Sequence, residues 1–98
     1  MPLALAEIQK RIINLNGWTL GQDGKSISRT IDTDGFTSAA SLIGKIAVEA
    51  EALDHHPDVH LTGYKHLQVV LTTHDAGGVT ERDFKLASKI DGLTRKPS

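Results

Sequence analysis

Apolar residues recur along this chain with two different periods. Leu5, Ile8, Ile12 and Leu15 follow at three- and four-residue spacing, with Glu7, Lys10 and Arg11 on other faces. That pattern predicts an amphipathic first helix, with Pro2 in its first turn and Asn16-Gly17 at its end. The period then drops to two. Trp18-Thr19-Leu20 begins an extended stretch, Gly21-Gln22-Asp23-Gly24 reads as a turn, and Lys25 to Asp32 alternates. Ile27, Arg29 and Ile31 fall on one side and Ser26, Ser28 and Thr30 on the other, so a hairpin is predicted. After the break at Asp32-Thr33-Asp34-Gly35, Thr37 or Ser38 can cap a second helix. Its stripe is Ala39, Leu42, Ile43, Ile46, Ala47, Ala50 and Leu53, and Pro57 requires it to stop near His56.

Asp58 to Gly63 reads as a loop. Tyr64 to His74 alternates again, with Leu67, Val69 and Leu71 on one face and His66, Gln68, Val70, Thr72 and His74 on the other. Asp75-Ala76-Gly77-Gly78 is a turn, and Val79 can extend a short final strand. Thr80 with Asp83 three residues on resembles a capping box and opens a third helix carrying Phe84, Ala87 and Ile90. Gly92 closes it, and Arg95 to Ser98 is expected to fray. The pattern predicts one α+β domain over residues 1–98, with helices packed on one face of a mainly antiparallel sheet.

Composition narrows the chemistry. Ninety-eight residues suffice for one domain with a modest core, which oligomerisation would naturally supplement. The net charge of −1 gives no basic excess to hold a nucleic-acid backbone, so direct nucleic-acid binding is not expected. With no cysteine, neither disulfides nor thiolate metal sites can form. The N-terminal apolar run is broken by Glu7 and lacks a basic flank, which argues against a signal peptide. No apolar run is long enough to span a membrane, and a cytoplasmic protein is expected.

All five histidines, His55, His56, His60, His66 and His74, lie within one 20-residue window. His55 and His56 end a helix and His74 ends a strand, positions that are rigid and accessible. Histidine titrates near neutrality, so two or three around one pocket can protonate a leaving hydroxyl and remove a proton elsewhere. His60, in a polar loop, and His66, mid-strand, read as structural or surface residues. A metal site is the competing reading, with Asp54, Asp58 and Asp75 as oxygen ligands. Adjacent histidines on a helix point about 100° apart, however, and no His-Glu-x-x-His pattern is present. No phosphate-binding glycine loop occurs, and Ser38 and Ser41 lack the setting of a nucleophile.

The segment Glu51-Ala-Leu-Asp-His55-His56-Pro57, followed by Tyr64, His74 and Asp83, resembles the signature of the pterin-4a-carbinolamine dehydratase family. Thr72-Thr-His-Asp-Ala-Gly-Gly-Val-Thr-Glu-Arg-Asp83 resembles a second segment of that family. Gly17-Trp18, Ile27-x-Arg29 and Phe36 match further landmarks, so the likeness runs from about Leu5 to Gly92. Two positions depart from the family pattern: Val59 stands where an aromatic is frequent, and the loop to Tyr64 takes the longer permitted length. Both bear on the pocket rim.

The resemblance implies three helices over a four-stranded antiparallel sheet in the order α-β-β-α-β-β-α, associated as homodimers or homotetramers. It implies dehydration of 4a-hydroxytetrahydrobiopterin to quinonoid dihydropterin, with an aromatic amino acid hydroxylase as metabolic partner and no metal or organic cofactor. Carried over by position, His55, His56 and His74 are the catalytic histidines, His55 and His74 for acid–base work and His56 mainly for binding pterin. Asp54, Pro57, Thr72, Thr73 and Asp75 are substrate-binding positions, and Asp83 is a supporting residue or a helix cap. The rival is a non-catalytic dimerisation or assembly partner on the same fold. Animal relatives pair with a homeodomain transcription factor, and divergent relatives serve as assembly factors.

Overall fold

The computed structural model describes residues 2–15 and 17–94. Its elements are α1 (Leu5–Ile12), β1 (Thr19–Leu20), β2 (Ile27–Asp32), α2 (Phe36–Leu53), β3 (Asp58–Thr62), β4 (His66–Leu71) and α3 (Glu81–Thr94). The strands form one antiparallel sheet in the order β1-β2-β4-β3. This is an α+β fold with three helices and a four-stranded antiparallel sheet.

The two-residue alternation decides which face of the sheet is covered. Ile27 and Ile31 on β2 pair with Leu71 and Leu67 on β4, and all four are buried with Val69. Ile8, Ile46, Ala50, Phe84, Leu86, Ala87 and Ile90 bring the helices onto that layer. The opposite face carries Ser28, Thr30 and Asp32 beside Val70, Gln68 and His66, and then Asp58, His60 and Thr62. Such a face is compatible with water, as expected of an antiparallel sheet packed on one side only.

Gly17-Trp18 and Arg29 have a structural task in this arrangement. The Trp18 indole N–H donates to Asp91 Oδ1 at 2.8 Å, and Arg29 Nη1 donates to the same oxygen at 2.6 Å. Trp18 is buried, so its polar edge needs that partner. Gly17 takes φ +85°, and a Cβ there would sit 3.3 Å from Arg29 Nε, which leaves little room for a side chain. This cluster ties the hairpin to α3.

Several boundaries differ from the sequence reading. Asp58–Thr62, expected as a loop, is the edge strand β3. Its Asp, His and Thr lie on the solvated face and mask the alternation of Val59 and Leu61. The strand expected over Tyr64–His74 is shorter, because Tyr64 takes φ 57° in the β3–β4 turn and His74 begins a single turn of 3-10 helix. No strand forms at Val79, which is buried and accepts the Leu3 N–H at 2.8 Å. The first helix starts at Leu5 rather than in a turn containing Pro2. Gly35, not Thr37 or Ser38, precedes α2, and no side chain caps it. Gly92 lies inside α3, which runs on to Thr94. The first helix ends at Ile12, short of the stop expected at Asn16-Gly17, because the Asn14 and Leu15 N–H groups bond three residues back, to Arg11 O at 3.0 Å and Ile12 O at 3.1 Å, and close the helix in tight turns. The frayed tail expected from Arg95 lies outside the described residues.

Candidate active site

The site begins where α2 ends. Pro57 leads to the expectation of a stop near His56, yet the helix closes earlier. Asp54 adopts the left-handed conformation, φ 50°. Its N–H reaches Glu51 O at 3.2 Å, and the His55 N–H reaches Ala50 O at 3.0 Å. This pair of bonds is a Schellman closure, which satisfies the last helical carbonyls. It also turns the chain, so that successive histidines leave the helix end in different directions. His55 goes inward and is 7% exposed, while His56 remains exposed. The His56 Nε2 pairs with Glu51 Oε2 on the last turn of α2.

The second segment follows β4. Thr72 Oγ1 donates to Lys25 O at 2.5 Å and fastens the β1–β2 turn to the end of the strand. Thr73 forms an isolated bridge with Gly78, and its side chain is buried. His74 opens the 3-10 turn, which closes through Gly77 at φ +76°. That conformation suits glycine, and a Cβ on Gly78 would lie 3.1 Å from Pro2 Cβ, so turn geometry and close packing account for the pair without a bound phosphate.

The third segment is the start of α3, where the expected capping box is present. Asp83 Oδ2 accepts the Thr80 N–H at 2.9 Å, and Thr80 Oγ1 accepts the Arg82 N–H at 3.3 Å. The same carboxylate reaches much further. Its Oδ1 lies 2.6 Å from His55 Nε2, and its Oδ2 accepts the Thr73 hydroxyl at 2.9 Å. Thr73 Oγ1 is also 2.7 Å from Thr80 Oγ1. Asp83 is fully buried, and each of its oxygens is engaged. A buried carboxylate is tolerated when donors converge on it and a helix N-terminus faces it.

One further pair braces this helix start. Arg11 on α1 grips Glu81 with both Nη atoms, at 2.6 and 2.5 Å, and reaches Glu7 at 2.8 Å through Nε. The bond from Arg11 holds the Glu81 carboxyl below its ordinary value. Glu81 and Glu7 in turn hold the guanidinium above its own.

His55, Thr73 and Asp83 thus form one buried hydrogen-bonded cluster. His56 and Pro57 line an apolar cavity of about 420 Å³ with Ile43, Ala47 and Val59. His74 and Thr72 line another, of about 230 Å³, against Asp23, Lys25 and Ser26. Asp75 sits with Thr73, Thr80 and Arg82 around a third, of about 410 Å³. Asp54 is exposed and shapes the backbone. His60 and His66 lie on the solvated sheet face, where His66 Nδ1 is 2.6 Å from Asp32 Oδ1. Among the described residues, no three His, Asp or Glu side chains converge on a point that would hold a metal ion.

Three features were not legible in the sequence. Glu51 partners His56 across five positions, a spacing that becomes a contact only because the left-handed residue ends the helix. Lys25 and Ser26 face His74 because Thr72 holds their turn in place. Thr80-x-x-Asp83 signalled a cap but carried no sign that the cap would also grip a histidine.

A small α+β domain with a buried histidine–carboxylate couple, flanked by open cavities, is the class that fold and site define. Comparison with known proteins makes this specific. The family model described as pterin 4 alpha carbinolamine dehydratase matches residues 1–93. A protein of Roseiflexus sp. (strain RS-1) is 43% identical over 91 residues, covering 93% of this chain and 95% of that protein. One from Saccharolobus islandicus (strain M.14.25 / Kamchatka #1) is 46% identical over 78 residues, covering 80% and 78%. Both are named, provisionally, as pterin-4-alpha-carbinolamine dehydratases. The crystal structure of a transcriptional coactivator/pterin dehydratase from Brucella melitensis superposes with a TM-score of 0.91 at 32% identity, covering 97% of this chain and 100% of that one. A pterin dehydratase-like protein identified as a RuBisCO assembly factor in the alpha-carboxysome shares the fold alone. Its TM-score is 0.68 at 14% identity, over 84% of this chain and 94% of that one. The chain belongs to the pterin 4 alpha carbinolamine dehydratase family.

Proposed function

We propose that this protein removes water from 4a-hydroxytetrahydropterin to give quinonoid dihydropterin, by histidine acid–base catalysis and without a metal or organic cofactor. One imidazolium protonates the 4a-hydroxyl as its C–O bond breaks. A neutral imidazole accepts the N5 proton, whose electron pair forms the new C=N bond. One water leaves, and the two histidines have exchanged protonation states, which solvent resets. His55 and His74 carry the two proton transfers, and His56 binds the pterin beside Pro57. The observation that carries this reading is the buried His55–Asp83 contact of 2.6 Å. An imidazole fixed by a carboxylate is oriented for proton transfer.

The substrate arises from an aromatic amino acid hydroxylase in the cytoplasm, and the protein works as a homo-oligomer. The exposed edge strand β3 supports that association, since among the described residues it pairs with β4 on one side only. The test is dehydration of synthetic 4a-hydroxytetrahydropterin, followed by absorbance of the quinonoid product. His55→Ala and His74→Ala should each slow turnover ~10²-fold or more while remaining folded. A wild-type rate no faster than the uncatalysed one removes the enzyme reading. It would favour the second reading, an assembly partner, which the RuBisCO assembly factor of the same fold supports.

A further inference from the structure

The third side chain of the buried cluster has a task that the family likeness does not assign. Carried over by position, Thr73 is a substrate contact. Here its hydroxyl donates to Asp83 Oδ2 at 2.9 Å and lies 2.7 Å from Thr80 Oγ1, in a residue only 4% exposed. An ionised carboxylate offers acceptors only, so the His55 nitrogen facing Asp83 Oδ1 carries a proton. In the neutral ring that nitrogen is Nε2, and Nδ1 is the acceptor.

Resting on the dehydratase reading above, we propose that Thr73 is a positioning residue. It fixes the Asp83 carboxylate so that His55 is held as the Nε2–H tautomer and exchanges its catalytic proton through Nδ1. Without the Thr73 hydroxyl, Asp83 Oδ2 keeps the Thr80 N–H as its remaining bond. The carboxylate can then rotate about that bond, and its second oxygen leaves His55. Thr73 also precedes His74, and its N–H and C=O are both bonded to Gly78, at 3.0 and 3.3 Å. One residue therefore sets the carboxylate behind one proposed catalytic histidine and the backbone that carries the other.

The experiment compares Thr73→Val, which keeps the shape and removes the hydroxyl, with Thr73→Ser, which restores the hydroxyl. Nitrogen-15 NMR of the ligand-free protein reads which His55 nitrogen is protonated, and steady-state kinetics separates kcat from KM. Wild type should show His55 protonated at Nε2. Thr73→Val should show a mixture of tautomers, with kcat lowered ~10-fold to ~10²-fold and KM nearly unchanged. Thr73→Ser should recover both the tautomer and kcat. A folded Thr73→Val with His55 still wholly Nε2–H overturns the proposal, as does a raised KM at unchanged kcat, which would mark a substrate contact. A tautomer change in a protein that shows no turnover upholds the positioning role and sinks the dehydratase reading.

Discussion

Replacing Asp83 by asparagine asks more of the structure than any other single change. Three donors converge on this carboxylate: His55 Nε2, the Thr73 hydroxyl and the Thr80 N–H. An amide keeps one acceptor oxygen and presents two N–H groups. The Thr80 N–H cannot reverse its polarity, and left buried without a partner it would cost ~1–3 kcal/mol. The asparagine oxygen therefore stays on Thr80 and Thr73, and the amide nitrogen turns to His55. To accept from it, His55 must move its proton from Nε2 to Nδ1. Downgrading three charge-assisted bonds to neutral ones costs about 1 kcal/mol each. Losing a negative charge at the start of α3 adds about 0.3–1 kcal/mol. The sum, ~3–4 kcal/mol, corresponds to a fall in Tm of very roughly 12–30 °C for a domain of this size. Typical stabilities of ~5–15 kcal/mol leave the variant folded at 25 °C. A histidine held in the wrong tautomer can lower kcat by up to ~10⁴-fold. Thermal unfolding and the 4a-hydroxytetrahydropterin assay, run on one preparation, test both numbers. Asp83→Asn that melts much lower but turns over within roughly threefold of wild type would refute the link between this carboxylate and catalysis.

Other substitutions probe neighbouring features. Asp54→Gly should stay within ~1 kcal/mol of wild type, because glycine accepts φ 50° without strain, whereas Asp54→Ala should lose about 1 kcal/mol. If both variants also lose turnover, the Asp54 carboxylate contacts substrate; if neither does, its role is confined to the helix end. Glu81→Gln tests the Arg11 pair. Because the folded-state carboxyl is held below its ordinary value, its contribution is present at neutral pH and is lost as pH falls through that lowered value. The gap in Tm between wild type and Glu81→Gln should therefore close on acidification and shrink in high salt.

Much of the fold was legible because the two-residue and helical periods are strong where burial is one-sided. Alternation puts Ile27 and Ile31 on one face of their strand and Leu67, Val69 and Leu71 on one face of theirs, and all five are buried. β3 was missed because an edge strand can carry Asp58, His60 and Thr62 outward, and a polar run of that length resembles a loop. The end of α2 was misplaced because proline is a visible stop signal, while an aspartate in a left-handed conformation is not. His55, Thr73 and Asp83 were each named as candidates from the family likeness. Their mutual contacts were not readable, because local spacing carries no record of pairs 28 and 10 residues apart. Asp83 shows the limit most clearly. The sequence offers it either a cap or a supporting role, and in the structure the cap and the histidine contact fall on one carboxylate.

That shared carboxylate has a consequence for how the molecule comes to life. A chain in which the sheet and α2 have formed, but α3 has not docked, has a histidine without its carboxylate and a helix start without its cap. Both deficits end in the same event. Completing the fold and seating His55 on its carboxylate are then one cooperative step, and any local opening at the start of α3 also releases the histidine. The Thr80 amide, whose hydrogen is held by Asp83, is a natural clock for those openings. Its exchange with deuterated solvent would count how often the site comes apart.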